Sequence, residues 1–446
     1  MDTFRHRLAT LADAARFDAP CAARIGTPAQ ASAPAPGTRA ARRLALPVFD
    51  RTEVEPAAIY WSVAGDGRRV PLLKLLLTNH CVHDCAYCPL RRSAVDTERA
   101  RLGVAEVVRL TLDYHRRGLV DGLFLSAAVD RSADATMGQL VEVARVLRQR
   151  HHFLGYVHLK VVPEASPELI DEAGRWADRV SVNVELARQQ DLDALAPGRR
   201  LATMHQAMDR LRDGIAEAHE ARYRLYAAPW QVTRWTTTGW GRAALPRFAP
   251  AGQVTQMVVG ADGAADRDVL QAAARLYERQ RLRRVYFGGY VPVEGAPAGL
   301  PNAAPNGLRE RRLYEADWLV RHYGFTVDEL APADAPDLAP DVDPKAAWAL
   351  RHPEAFPVDL NRASREELLR VPGLGHRTVD RVLAMRPWHR VRVDDLVKLG
   401  VPVRRALPFL VAPDHLPLRV GPDAPGLRAR LAASQLDLFP GRGAAA

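Results

Sequence analysis

The sequence is short of cysteine, of long apolar runs and of acidic charge, and each shortage excludes something. Four cysteines occur in 446 residues, and three of them fall between positions 81 and 88. A secreted disulfide framework would spread them out, so the clustering points to a metal. The most apolar stretch, residues 72–77, is interrupted by Lys74 and is far shorter than the ~20 residues a membrane span needs, so no membrane partner is expected. Residues 1–18 carry Asp2, Arg5, Arg7 and Asp13 with no apolar core run. No secretory leader is therefore expected, and a cytoplasmic location is. Lys plus Arg number 62 against 52 Asp plus Glu, a formal charge of +10, which suits a polyanionic partner without requiring one.

The length allows two or three domains. Residues 1–69 read as a partly disordered N-terminal arm, because 19–45 is rich in Ala, Pro and Arg. From residue 70 to 330 apolar strand patterns alternate with amphipathic helix patterns. Strands are predicted over 72–78, 122–126, 155–162, 179–186, 254–260 and 283–290. Helices are predicted over 102–117, 137–150, 167–177, 202–220 and 266–281. Strands separated by helices imply a parallel α/β sheet with right-handed crossovers. Spacing alone does not separate a partial barrel from an open sheet. Residues 331–344 hold four prolines and four aspartates and read as a linker. A compact helical module is expected over 345–412 and a flexible tail over 413–446.

The cysteine segment reads Leu77-Thr78-Asn79-His80-Cys81-Val82-His83-Asp84-Cys85-Ala86-Tyr87-Cys88-Pro89. Its spacing is C-x3-C-x2-C, just past the first predicted strand. Thiolates are soft ligands suited to iron–sulfur clusters. Three of them leave one iron of a cubane without a protein ligand, which a cofactor-binding cluster requires. Cys21 is a distant candidate for a fourth. The alternative is a structural zinc site completed by His80 or His83. The position at the C-terminal edge of a parallel strand favours a ligand site, because such sites gather there.

The segment resembles the radical S-adenosylmethionine (SAM) superfamily, whose hallmark is C-x3-C-x-aromatic-C after the first barrel strand, with Tyr87 in the aromatic slot. The resemblance implies a partial (β/α)6 barrel and a 4Fe-4S cluster on Cys81, Cys85 and Cys88. It also implies SAM chelated on the open iron, an external electron donor, and reductive cleavage of SAM to methionine and a 5′-deoxyadenosyl radical. Family members often end the second strand in Gly-Gly-Glu. Here Leu123-Phe124-Leu125-Ser126-Ala127-Ala128 lacks the glutamate, which leaves backbone carbonyls or Ser126 for the amino group. On the fourth strand, alternation puts Ser181, Asn183 and Glu185 on one face. Three polar side chains pointing into a barrel are costly unless they meet a ligand or a satisfied network. The resemblance assigns that place to the ribose and carboxylate of SAM. Lys160, Arg199 or Arg200 would neutralise the carboxylate, and the backbone of residues 257–260, ending at Gly260, would meet adenine. Trp230, Arg234, Trp235, Trp240, Arg242 and Arg247 form an aromatic, basic segment suited equally to base stacking and to a lid.

In the C-terminal module, Ser364 and Glu367 make a capping box. Pro372-Gly373 stops the short helix and Gly375 precedes another. This resembles a helix-hairpin-helix, whose glycine-rich turn and following helix N-terminus offer free N–H groups to a DNA phosphate. Gly373, Gly375, His376, Arg377 and Arg381 are the expected DNA contacts, and a hairpin used for protein packing is the alternative. A degenerate second copy follows around Leu399-Gly400-Val401. In the tail, Gln435-Leu436-Asp437-Leu438-Phe439 resembles the peptide by which bacterial repair proteins dock on the sliding clamp. Gln435, Leu436, Leu438 and Phe439 would make the contacts, and a tail folded on its own domain is the other reading. Over residues 50–412 the order, from Leu72-Leu73-Lys74 through Tyr314-Glu315-Ala316-Asp317-Trp318 to the hairpin module, resembles DNA modification/repair radical SAM proteins linked to a uracil-DNA-glycosylase-like partner. That implies DNA as substrate and the glycosylase-like protein as partner. A non-catalytic iron–sulfur scaffold recruiting that partner, and an RNA-modifying radical SAM enzyme, are the competing readings.

Overall fold

The protein is described here from a computed structural model, which describes residues 3–18, 58–63, 69–227, 247–292, 295, 297, 299–305, 307–417 and 426–436. The chain divides into two compact units. The first comprises 1–263 and 275–305, the second 264–274 and 306–446.

The first unit is built on continuous apolar runs. Leu72, Leu73, Leu75 and Leu76 are all buried within strand β2 (Arg69–Leu76), and all five residues of β3 (Gly122–Ser126) are buried. Strands covered on both faces read this way, without alternation. They are followed by β4 (Tyr156–Lys160), β5 (Arg179–Ser181), β6 (Gln253–Val259) and β7 (Arg284–Gly289). Neighbours pair in chain order, every pair from β2 to β7 parallel. One inner cavity is lined by residues from all of these strands, among them Leu72, Phe124, His158, Ser181, Thr255 and Tyr286. A sheet whose strands line one cavity is curled, so this α/β unit is a partial barrel.

Between the strands run α2 (Val104–Arg116), α3 (Ala133–Gln149), α4 (Pro167–Trp176), α5 (Gln189–Leu195), α6 (Leu201–Ala227) and α7 (Asp266–Gln280). Their buried stripes follow the helical period: α2 buries Val107, Val108, Leu110, Thr111 and Tyr114. Gly174 on α4 and Gly214 on α6 leave room for the Phe248 ring, which a Cβ at either place would strike at 2.1 and 2.7 Å.

Within the N-terminal arm two segments form regular elements, and residues 19–45, whose composition suggested disorder, lie outside the described residues. Helix α1 (Thr3–Ala14) buries Leu8, Leu11, Ala12 and Ala14, and Arg7 pairs with Glu106 of α2 at 2.7 Å. Strand β1 (Ile59–Val63) adds an antiparallel edge to β2. Alternation over so short a run, isolated from other elements in sequence, gave no signal for β1.

The second unit holds α8 (Gly307–His322), α9 (Val327–Leu330), α10 (Pro344–Arg351), α11 (Arg365–Arg370), α12 (His376–Met385), α13 (Val393–Lys398), α14 (Val403–Ala406) and α15 (Leu427–Leu436). Its aromatic core runs from Phe325 through Trp348 and Phe356 to Phe409, with centroids 5.0–6.0 Å apart. Two short parallel strands, β8 (Val358–Asp359) and β9 (Leu410–Val411), bring the start and end of the hairpin segment together. Residues 331–344, expected as a linker, lie inside this unit. Leu338 and Val342 are buried, and Asp266 and Arg312 bond the backbone of Leu338 and Pro340. Prolines there fix an irregular path, and Asp343 caps α10. The tail expected to be flexible contains α15, whose Leu427 and Leu431 are buried and whose Arg428 pairs with Asp341 at 2.6 Å. Among the described residues no helix is long and apolar enough to cross a membrane.

Candidate functional site

The cysteine loop leaves the C-terminal end of β2. Its backbone is organised by side chains that supply what a regular element would. Asn79 bonds the Glu98 carbonyl at 2.7 Å and the Ala100 N–H at 2.7 Å, closing the loop at its base. The Arg99 guanidinium donates to the carbonyls of Asn79, Leu90, Arg91 and Ala94 at 2.5–3.2 Å. Five N–H donors in a fixed fork suit this task. The turn itself is closed by Cys88 N–H on the Cys85 carbonyl at 2.9 Å, and Leu90 N–H points at the Cys88 sulfur at 3.4 Å.

Cys81, Cys85 and Cys88 line one cavity of about 190 Å³ at the C-terminal mouth of the partial barrel. Its wall also includes Arg16, His83, Tyr87, the segment Ala127–Val129, Lys160, Asn183, Glu185, Arg199, Gln256 and Gly288–Tyr290. Burial pushes the Cys85 thiol up to about 12, with the charge of Glu185 adding to it and Arg199 opposing. Cys88 is likewise pushed up to about 12 by burial, against the Leu90 N–H. These thiols keep their protons until a cation displaces them, so loading would release protons. Among the described residues no three His, Cys, Asp or Glu side chains stand in position to hold a single metal ion. A cubane spreads its thiolates further apart, because each binds a different iron. Three thiols sharing one cavity fit that donor set.

Beyond Ser181 the chain leaves regular pairing. Glu185 takes a left-handed conformation with φ 64°, bridges to Met257, and its N–H and carbonyl bond Gln256 and Val258. Val184 N–H is taken by the Thr255 hydroxyl at 3.2 Å. A non-glycine residue held there is a place where backbone strain is tolerated, and such places cluster at ligand sites. Val180, Val182 and Val184 face the core and are fully buried. Arg199 is buried between two carboxylates, 3.3 Å from Glu164 and 3.9 Å from Glu185. Burial opposes its charge, but Glu164 and Glu185 outweigh it and raise its pKa.

The predicted residues divide. Cys81, Cys85, Cys88, Tyr87, Asn183 and Glu185 meet at the cavity. Ser181 lies deeper, bonded to His158 at 3.0 Å in the inner cavity. Ser126 is buried with its hydroxyl 3.5 Å from the Leu75 carbonyl, and the backbone after it, Ala127–Val129, forms the wall instead. Gly260 stands past β6 at φ 83°, where a Cβ would lie 3.0 Å from Pro305, and is not among the lining residues. Sequence reasoning missed Glu164, Arg99, Gln256 and Arg16, which stands in the 3-10 turn after α1. Arg200 pairs outward with Asp193 at 3.4 Å. Cys21 and residues 228–246, with Trp230 to Arg242, lie outside the described residues, and Arg247 pairs with Asp178.

In the second unit, α11, residues 371–375 and α12 form the expected hairpin. Ser364 accepts from Glu367 N–H at 3.2 Å and Glu367 from Ser364 N–H at 2.7 Å, completing the capping box. Gly373 has φ 85°, which explains the glycine there. Gly375 is the N-cap of α12. His376 bonds Arg365 at 3.0 Å, while Arg377 and Arg381 are exposed. Asn361 grips both the N–H and the carbonyl of Val391 at 2.8 and 3.0 Å, fixing the start of the second hairpin. That hairpin turns at Gly400, φ 73°. Gln435 and Leu436 close α15 with side chains outside the described set, as are Leu438 and Phe439.

The first unit is thus a partial parallel α/β barrel with three thiols at its C-terminal mouth, and the second is a helical unit that contains the hairpins. No family model and no curated protein matches this chain. Similar solved structures include HydG, a maturase of the [FeFe]-hydrogenase, at 14% identity and TM-score 0.37, over 55% of this chain and 48% of that one. HydG from Carboxydothermus hydrogenoformans matches at 13% identity and TM-score 0.39, over 55% and 50%. The radical SAM methyltransferase TsrM from Kitasatospora setae matches at 13% identity and TM-score 0.34, over 53% and 38%. The matched region thus spans half or less of each of those chains.

Proposed function

We propose that this protein is a radical SAM enzyme that modifies or repairs DNA. The observation that carries the reading is the convergence of Cys81, Cys85 and Cys88 on one cavity at the C-terminal mouth of a parallel partial barrel. A 4Fe-4S cluster bound there would supply, on reduction, the electron that cleaves SAM to methionine and a 5′-deoxyadenosyl radical. The residues of the chain then have definable tasks. Arg99 holds the thiol-bearing loop in one shape. Arg199 presents a buried positive charge at the cavity wall, where the carboxylate of SAM needs one. Asn183 and Glu185 offer hydrogen-bonding groups to hydroxyls or an ammonium. The backbone of Ala127 and Ala128 replaces the absent glutamate. Apolar Leu76, Leu90, Val161 and Val162 exclude water from the same space.

DNA as substrate is supported by the hairpin, with its capping box, left-handed Gly373 and exposed Arg377 and Arg381. Backbone N–H groups at such a turn position a duplex without reading its sequence. A duplex target base would have to be flipped to reach a barrel mouth.

The test is anaerobic reconstitution with iron and sulfide, then dithionite and SAM. Formation of 5′-deoxyadenosine, lost in Cys85→Ala together with the iron, is the expected result. Stoichiometric zinc, or a loaded cluster that yields no 5′-deoxyadenosine, would sink the catalytic reading and leave a DNA-binding scaffold. Deuterium passing from a labelled oligonucleotide into the product identifies DNA as substrate, and transfer from structured RNA alone would replace it.

A further inference from the structure

Lys345, in the first turn of α10, is a buried cation that the reading above does not use. It is 7% exposed. Its Nζ donates to the Leu374 carbonyl at 2.6 Å and lies 4.9 Å from the centre of the Tyr323 ring. Leu374 stands between Gly373 and Gly375, at the tip of the hairpin. The Leu374 carbonyl and the Gly375 N–H belong to one peptide unit, and in a trans peptide they point in opposite directions. Drawing the carbonyl inward therefore turns the Gly375 N–H outward. Among the described residues no hydrogen bond takes up that N–H. It opens α12 together with the N–H groups that follow it.

The turn is gripped from several sides. Leu374 N–H bonds the Val371 carbonyl at 3.1 Å. The Tyr323 ring packs on His376 at 4.3 Å, and its hydroxyl would lie 3.4 Å from a Cβ on Gly375. Gly373 backs onto Pro402 and Arg405 of the second hairpin, and Arg405 pairs with Asp343, the N-cap of α10. One turn of α10 thus holds both hairpins, the first through Lys345 and the second through Asp343.

Burying an ammonium is expensive, and one carbonyl with one ring does not replace its lost hydration. Desolvation, reinforced by Arg370, lowers Lys345 to about 7. A methionine would fill the same space without that cost, so the charge needs another reason. We propose that Lys345 is a positioning residue that fixes the Leu374–Gly375 peptide so that the Gly375 N–H is presented to a DNA backbone phosphate. This rests on the DNA-binding reading of the hairpin. The ammonium also lies behind the peptide, where its field polarises the N–H toward an anion.

The test uses the full chain and a duplex oligonucleotide, followed by fluorescence anisotropy. Lys345→Met should keep the fold, since it removes a buried charge, yet bind roughly tenfold more weakly, the worth of one charge-assisted hydrogen bond. Wild-type affinity should also fall as pH rises through about 7. Arg370, Tyr323 and His376 face the same turn, so the diagnostic quantity is the part of that pH dependence lost in Lys345→Met. A folded Lys345→Met with unchanged affinity and pH profile overturns the proposal. Should the variant not fold, the isotope-labelled Gly375 amide of the wild type decides. It should shift on adding duplex, and an amide that stays put overturns the proposal. A wild type that binds no duplex at all removes the DNA reading itself, a result distinct from an unaffected variant.

Discussion

Arg199 has its charge fixed by its surroundings. Glu164 and Glu185 hold it protonated although it is buried, and the three form a short charged chain beside Cys85. Arg199→Met would leave two carboxylates without their cation, and breaking a buried pair costs about 3 kcal/mol. The variant should melt earlier and bind SAM more weakly after cluster loading, whereas Arg199→Lys should recover much of the stability. Calorimetric titration with SAM is the check, and an unchanged affinity would remove Arg199 from the SAM site. The cysteines were legible because thiol spacing is a covalent property of the chain. Glu185 was legible as a face but not as a left-handed residue, since its φ follows from the Gln256 and Val258 bonds made across the sheet. Arg99 and Glu164 carried no local signal. Their roles consist of contacts that folding creates.

Among the elements, the hairpin turn depends most plainly on one backbone angle. Gly373 sits at φ 85° with ordinary space around it, a Cβ lying 3.4 Å from Arg405. Gly373→Ala therefore meets a conformational penalty and no steric wall, about 1–2 kcal/mol for a left-handed residue. The turn should open, and duplex affinity should fall uniformly across sequences, measured by anisotropy on unrelated oligonucleotides. Equal affinity would count against this turn as the DNA contact. The six parallel strands were readable because buried runs bounded by helices have few alternatives. Strand β5 ended earlier than its pattern, at Ser181, because the Thr255 hydroxyl takes the Val184 N–H in place of a ladder bond. Strands β1, β8 and β9 escaped notice, being short and stabilised by partners distant in sequence.

Two buried bases, one in each unit, contribute to the pH response of the molecule. His158 is stacked on Phe124 at 4.2 Å, and burial, with Arg179, Lys74 and Lys160 adding, drives its pKa well below 6.5. The unfolded chain protonates near 6.5 while the folded one does not, so this stability is present above that pH and is lost as pH falls below it. Lys345 is depressed from 10.5 to about 7. Below 7 it is charged in both states and its burial cost is complete. Between about 7 and 10.5 the unfolded chain binds more protons, so stability rises with pH. Each group supplies a slope of at most ~1.4 kcal/mol per pH unit. Melting temperatures should therefore climb toward mildly alkaline pH. His158→Gln should flatten the acid limb and Lys345→Met the alkaline one, each in the transition of its own unit. A variant whose melting profile keeps the wild-type slope in its window would contradict the assignment of that group.

The sequence by itself determined the α/β class, the three-thiol loop after the first parallel strand, and the hairpin with its capping box. These depend on periodicity, spacing and caps, all of which act over a few residues. The tertiary structure decided which polar groups reach the cavity, that residues 331–344 belong inside the second unit, and that α1 and α15 are packed helices. It also decided that Lys345 meets the hairpin tip. Those outcomes depend on which desolvated surfaces and unpaired backbone groups find one another across long stretches of chain, and no local pattern encodes that pairing.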